Sequence, residues 1–283
     1  MTDHRADPID IALREDIGEG DITTQLVVPE NARARARVVS REKAVVAGKT
    51  PAAEVFRRVD PQLKVSIAMT DGTTALGGET ILEISGSARS ILTAERAALN
   101  FLQRLSGIAT LTRAFVEAIG KNPAKIMDTR KTVPGLRALE KAAVVAGGGV
   151  NHRFGLFDMI LVKDNHLVAQ PDPIQLAAAI RKAKLRNPSM KVEVEADSLE
   201  RVRALIQIEE IDVILLDNME TSEMREAIAL GRNRKVKFEA SGGVNLKTVR
   251  RIAATGVDFI SVGALTHSAP AIDLSLELTP IST

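Results

Sequence analysis

The sequence predicts an α/β protein: a mixed α+β N-terminal region followed by an incomplete α/β barrel of six or seven strands. Three observations carry that prediction. From about residue 124, short apolar runs recur at 125–127, 157–162, 192–194, 213–216, 236–238 and 259–262. Helical patterns at 136–146, 173–185, 198–206, 222–230 and 246–255 separate most of them. Each run gives way abruptly to charge or glycine. Strand–helix alternation at this spacing argues a parallel sheet with right-handed crossovers. Six runs fall short of a closed (β/α)8 barrel, and an open doubly wound sheet is the alternative architecture.

The first 110 or so residues lack that period. Residues 9–16 read as a short helix. Residues 33–38, RARARV, alternate basic with small or apolar side chains, as a half-exposed strand does. Their arginines are read as a solvated face, where charge also discourages edge pairing. Leu63, Val65, Ile67 and Met69 alternate in the same way, and Asp71-Gly72 and Gly77-Gly78 punctuate turns. Residues 90–106 read as a helix with Ile91, Leu92, Leu99, Leu102 and Leu105 near one face.

Composition narrows the function classes. The chain has 283 residues, 45% of them hydrophobic, which is ample for a packed core. It contains no cysteine, so disulfides, thiolate metal sites and cysteine nucleophiles are excluded. The opening MTDHRADPIDIALRED is too charged for a signal peptide. No apolar run approaches the ~20 residues of a membrane span. A soluble, cytoplasmic protein is expected, with no membrane partner. A net charge of +2 with 2% aromatic residues offers neither a strong basic field nor stacking platforms, so no nucleic-acid partner is expected.

In either parallel architecture the active site lies where strands end. After the first run come Asp128, Arg130 and Lys131; after the second, Lys163, Asp164 and Asn165; after the third, Glu195 and Asp197. The fourth gives Asp217 and Asn218, the fifth Ser241-Gly242-Gly243, the sixth Gly263-Ala264. Burying several cations is costly unless anions meet them, so residues 127–166 read as the wall of a pocket for a strongly anionic small molecule. Arg130, Lys131, Arg153 and Lys163 would form an anion site built from side chains. Gly242 and Gly263, each before a predicted helix, would form a second one from backbone N–H groups and a helix dipole. Between them, Glu195 and Asp217 suit Mg2+ carried in by a phosphate-bearing substrate, or sugar hydroxyls. His4, His152, His166 and His267 lie apart without a short ligand motif, so hydrogen-bond or anion roles are read for the last three. Arg137, Glu140 and Lys141 are read as ordinary helix surface charge.

Longer motifs add a resemblance. EDIGEGDITT (15–24), AERAALNFLQRLSGIAT (94–110), DTRKTVPGLRALEK (128–141) and GGGVNHRFGLFDMILVKDNH (147–166) stand in order with VEVEADSLE, ILLDN, ASGGV and VGALTH. Nearly end to end, the chain closely resembles the quinolinate phosphoribosyltransferases, the decarboxylating enzymes of NAD biosynthesis. A family relative found with molybdate-transport genes is the nearest rival. The resemblance implies that quinolinate and phosphoribosyl pyrophosphate give nicotinate mononucleotide, pyrophosphate and CO2. It implies that Arg96, Arg130, His152, Arg153 and Lys163 face the quinolinate carboxylates. Lys131, Glu195 and Asp217 would act on phosphoribosyl pyrophosphate and its Mg2+, with Thr132 beside them, and no organic cofactor. Ser241, Gly242, Gly243, Gly263, Ala264 and His267 would surround the phosphates. The implied fold is type II phosphoribosyltransferase-like, divided at 1–115 and 116–270, with a tail at 271–283 returning to the N-terminal domain. The implied assembly is a homodimer with shared active sites, or a hexamer built from such dimers. Two readings of other classes stand beside it. Lys163 at a strand end suits a Schiff-base aldolase; a non-catalytic basic binding protein is disfavoured by the near-neutral charge.

Overall fold

The computed structural model describes residues 7–169 and 173–281, with side chains at 167–169 and 173 left aside. His4 lies outside the described residues. The chain forms two compact units. One holds the residues up to Arg113, Val133–Gly148 and the segment from Ser268; the other holds Ala114–Thr132 and Gly149–His267.

In the first unit, helices α1 (Pro8–Ile17) and α2 (Ile22–Val27) lead into strand β1 (Arg33–Ser40). Asp7 and Asp21 cap the two helices by accepting backbone N–H bonds from Ile9 and Thr24. There follow β2 (Ala44–Val45), α3 (Lys49–Val59), β3 (Lys64–Ile67), β4 (Thr74–Ala75), β5 (Thr80–Ser87) and the long α4 (Ala88–Ile119), which continues into the second unit. The second unit begins its sheet with β6 (Lys125–Met127), after which α5 (Arg137–Ala146) belongs again to the first. Then come β7 (Ile160–Val162), α6 (Asp164–Ala169), α7 (Pro173–Arg186), β8 (Val192–Ala196), α8 (Leu199–Leu205) and β9 (Val213–Asp217). Helix α9 (Thr221–Gly231), β10 (Lys237–Ser241), α10 (Val249–Ala253), β11 (Phe259–Ser261) and α11 (Ala264–His267) complete the second unit. Strand β12 (Leu274–Pro280) returns to the first.

The first unit is an antiparallel sheet in the order β12-β1-β5-β3. Phe56, Ile84, Ile91, Leu99 and Leu102 pack in its core. The C-terminal segment pairs with β1 from Ala34↔Pro280 to Ser40↔Leu274. Gly107 on α4 permits a close approach by this segment, because a Cβ there would strike the Pro270 carbonyl.

The second unit is a parallel sheet in the order β6-β11-β10-β9-β8-β7. Its last strand, β11, pairs with its first, β6. Neighbours otherwise follow chain order, without the reversal at a central strand that marks a doubly wound sheet. The barrel reading therefore holds, with the described ladder open between β6 and β7. A single bridge, Met127↔Val150, lies beside that seam.

Several expectations need correction. Residues 157–159 are not strand: Asp158 folds the loop by accepting N–H bonds from Phe154 and Gly155, leaving Phe157 exposed. The helix expected at 246–255 is only α10, because Asn245 and Thr248 close a turn ahead of it. The boundaries 1–115 and 116–270 put Val133–Gly148 in the barrel, whereas its contacts lie with the first unit. Nor is α5 ordinary surface charge. Glu140 and Lys141 are buried, and Glu140 binds the Arg104 guanidinium at 2.8 Å.

Candidate active site

Strand register brings the predicted strand ends to one edge of the parallel sheet. Ser241 on β10 stands opposite Asp217 on β9, Ala196 on β8 opposite Leu216, and Ser261 on β11 opposite Met127. Because side chains alternate faces, Glu193 and Glu195 share one face of β8, and Glu239 and Ser241 share one face of β10.

Lys163, just beyond β7, holds Glu195 with Nζ 3.5 Å from Oε2. Burial pushes the Glu195 carboxyl above its ordinary range; Lys163 works against that, and the Asp217 charge adds to it. Two neighbouring hard oxygen donors of this kind fit Mg2+. Asp217 is also bound by the Asn218 side-chain amide at 2.8 Å.

The glycine loop lies beside Asp217. The Asn218 N–H donates to the Ser241 carbonyl, and Asn218 itself adopts a positive φ of 54°. Gly242 and Gly243 have φ of 92° and 60°, and a Cβ on Gly242 would collide with Asn218 Oδ1. Only glycine meets both demands there. The expected dipole contribution is smaller than the sequence suggested, because α10 starts six residues after Gly243 and α11 is a single turn. Backbone N–H groups on a glycine turn remain as the anion-binding feature.

Lys131 sits with this second site. Its Cδ lies close to Gly263, as does the exposed His267, and the Thr266 hydroxyl donates to the Lys131 carbonyl at 2.7 Å. The expected grouping of Lys131 with Arg153 and Lys163 is therefore corrected. Thr132 turns back to the Arg130 carbonyl, and Ala264 opens α11.

Arg130 and Arg153 form the cationic pole. Arg153 is 9% exposed, and its guanidinium donates to the Met159 carbonyl at 3.3 Å. Burial lowers its pKa, the Arg130 charge lowers it further, and Glu193 and Asp158 oppose both effects. Two cations that repel one another across a pocket wall are poised for an anion.

His152 differs from its expected role. Its Nδ1 accepts the Arg153 backbone N–H at 2.7 Å, and its Nε2 lies 3.0 Å from Glu193 Oε2. Its ring is engaged within the barrel with the Glu193 carboxylate. His166 Nδ1 accepts the Lys163 N–H, a hydrogen-bond role. Arg96 is exposed on α4 in the first unit and is not among the residues the second unit brings together.

Two acids escaped the sequence reading. Glu193 and Glu239 are each 1% exposed. Burial raises Glu193 to about 7, and burial together with the Glu193 charge raises Glu239 to about 8. The available signal was the Glu193–Glu195 spacing in VEVEA, which puts both acids on one strand face.

Comparison with known proteins accords with this geometry. The family model described as quinolinate phosphoribosyl transferase, C-terminal domain, matches residues 108–277, and its N-terminal counterpart matches residues 21–106. The chain is 43% identical to a nicotinate-nucleotide pyrophosphorylase (carboxylating) of Mycobacterium leprae, over 98% of each protein. It is 41% identical to the chloroplastic nicotinate-nucleotide pyrophosphorylase of Arabidopsis thaliana, over 95% of this chain and 81% of the relative. The crystal structure of NadC from Streptococcus pyogenes superposes with a TM-score of 0.90 at 40% identity, covering 97% of this chain and 96% of that one.

Proposed function

The chain belongs to the quinolinate phosphoribosyltransferase family and is a phosphoribosyl-transferring enzyme of NAD biosynthesis, and we propose how its strand-end side chains divide the work. The reaction joins quinolinate to phosphoribosyl pyrophosphate and releases pyrophosphate and CO2. Arg130, Arg153 and Lys163 hold the two quinolinate carboxylates. Lys131, Gly242, Gly243, Gly263 and His267 hold the phosphates. The carrying observation is the 3.5 Å contact between Lys163 and Glu195, which joins the cationic pole to the acidic and glycine-rich one.

As pyrophosphate departs, positive charge develops at the ribose C1, and the Glu195 or Asp217 carboxylate stabilises it. The pyridine nitrogen attacks that carbon. The resulting cationic ring accepts the electron pair left when the adjacent carboxylate leaves as CO2. Orientation of the two substrates is the protein's main contribution. Mg2+ arriving with phosphoribosyl pyrophosphate would be held by Glu195 and Asp217, and when bound it neutralises charge on the leaving group.

Nicotinate lacks one carboxylate, and one charge-assisted contact is worth ~1.5–3 kcal/mol, so it should react roughly 10- to 150-fold more poorly than quinolinate. Turnover should vanish in excess EDTA. Equal kcat/KM for the two acids would favour the molybdate-associated relative instead, and full activity in EDTA would remove Mg2+.

The proposed assembly is a homodimer in which Arg96 of the partner subunit completes each quinolinate site. Arg96→Ala and Lys163→Ala should each be nearly inactive, whereas a randomly mixed dimer should recover roughly a quarter of wild-type activity. An inactive mixture with proven heterodimers would end the shared-site proposal. No described helix is long and apolar enough to cross a membrane. A cytoplasmic location accords with the cysteine-free sequence, although plant relatives are named chloroplastic or mitochondrial.

A further inference from the structure

Deeper in the barrel than Glu195, a buried hydrogen-bond chain runs through groups that the transfer chemistry does not itself use. The fully buried Asp128 accepts the His152 backbone N–H at 2.9 Å. The next N–H, of Arg153, donates to His152 Nδ1 at 2.7 Å. That leaves the ring proton on Nε2, which lies 3.0 Å from Glu193 Oε2 and 3.7 Å from Glu239 Oε2. Glu193 and Glu239 are neighbours, and Ser261 lies beside Glu239.

A metal site is the first alternative, since His152, Glu193 and Glu239 bring one ligand atom each within 4.8 Å of the others. The histidine tautomer argues against it. With Nδ1 accepting the Arg153 N–H, Nε2 carries hydrogen and has no lone pair for a cation. Among the described residues, Glu193 Oε1 and Glu239 Oε1 have no hydrogen-bond partner.

We infer that Glu193 and Glu239 are positioning residues for quinolinate: by gripping His152 they fix the Asn151–His152–Arg153 turn and with it the Arg153 guanidinium. The inference rests on the reading of Arg130 and Arg153 as the quinolinate carboxylate site. Arg130 repels Arg153, and Glu193 attracts it from within the barrel. The 3.0 Å contact from His152 Nε2 to Glu193 Oε2, with Glu239 Oε2 at 3.7 Å, holds the ring and the turn that carries Arg153.

Equilibrium dialysis of the full chain with quinolinate, and separately with Mg2+ and phosphoribosyl pyrophosphate, tests this. Glu193→Ala and Glu239→Ala should each weaken quinolinate binding at least about tenfold. Phosphoribosyl pyrophosphate affinity should stay within about threefold. Glu239→Gln keeps the side chain's shape and offers Glu193 an amide donor, so its quinolinate affinity should stay within about threefold of wild type. If the alanine variants fail to fold by circular dichroism, Glu193→Gln keeps the shape, removes the charge and should still lose at least about threefold. Unchanged quinolinate binding in the folded variants overturns the inference. So does equal loss of both ligands, which marks general damage, or a Glu239→Gln variant as poor as Glu239→Ala. Wild-type protein that makes no nicotinate mononucleotide and binds no quinolinate overturns the substrate reading itself.

Discussion

Strands β1 and β8 both alternate charge with small or apolar side chains, and they place that charge in opposite surroundings. In β1, Ala34, Ala36 and Val38 face the core while Arg33, Arg35 and Arg37 stand in solvent. Arg37 meets Glu277 on β12 at 2.9 Å, an exposed pair that contributes little. In β8 every residue is buried, with Val192, Val194 and Ala196 on one face and Glu193 and Glu195 on the other. An antiparallel sheet can leave one face wet, whereas a parallel sheet covered on both sides cannot. Buried carboxyls are tolerable only with partners or protons. In β8 those partners are His152, Lys163 and the acid Glu239. β1 leaves its three arginines to water, whereas β8 must meet its two glutamates with partners inside the protein.

The sharpest way to break that comparison is Arg153→Lys. If the planar fork of Arg153 grips a carboxylate beside the buried acids, lysine replaces its charge but not its geometry. Quinolinate kcat/KM should fall at least about tenfold, or ~1.4 kcal/mol. Wild-type kinetics in a folded Arg153→Lys protein would reduce Arg153 to the status of the β1 arginines.

A smaller effect appears in stability. Glu239 moves from 4.5 unfolded to about 8 in the fold. Between those values the folded state binds more protons than the unfolded one, so Glu239 lowers stability as pH rises through that window. Glu239→Gln removes this slope. The melting temperature of the variant relative to wild type should therefore climb from pH 6 to pH 9, as read by parallel thermal melts. A constant difference would mean that Glu239 is ionised throughout.

The smallest effect sharpens the other side. Arg35→Gln removes a charge from β1, as Glu239→Gln removes a titrating group from β10. Because Arg35 is exposed, stability should change by no more than about 0.5 kcal/mol at any pH. A large pH-dependent change there would mean that the β1 face is not simply solvated.

Much of the site was legible before the fold. Lys163, Glu195, Asp217 and Gly242 each follow or close an apolar run, and a parallel sheet gathers the ends of its strands. Positive-φ glycines at 242 and 243 match the doublet that signalled a turn. The contact of His152 with Glu193 was not legible, because its motif neighbours, Asn151 and Arg153, reveal nothing about which way the ring turns. Glu239 was missed because KFEAS shows a single acid in a short run. Strand β5 and helix α3 were also passed over. β5 mixes glycine and serine with its apolar residues, and α3 is short and rich in charge.

By itself, the sequence determined the alternation of elements, the identity of the strand-end groups and the solvated face of β1, because each follows from local periodicity and residue chemistry. Tertiary structure decided that the last barrel strand closes on the first, that Val133–Gly148 packs with the first unit, and that Lys131 stands with Gly263. It also decided that Glu193 and Glu239 stand beneath His152, their Oε2 atoms 3.0 and 3.7 Å from its Nε2. These outcomes depend on which residues distant in the chain meet in space, and on how little water reaches them, neither of which local pattern encodes.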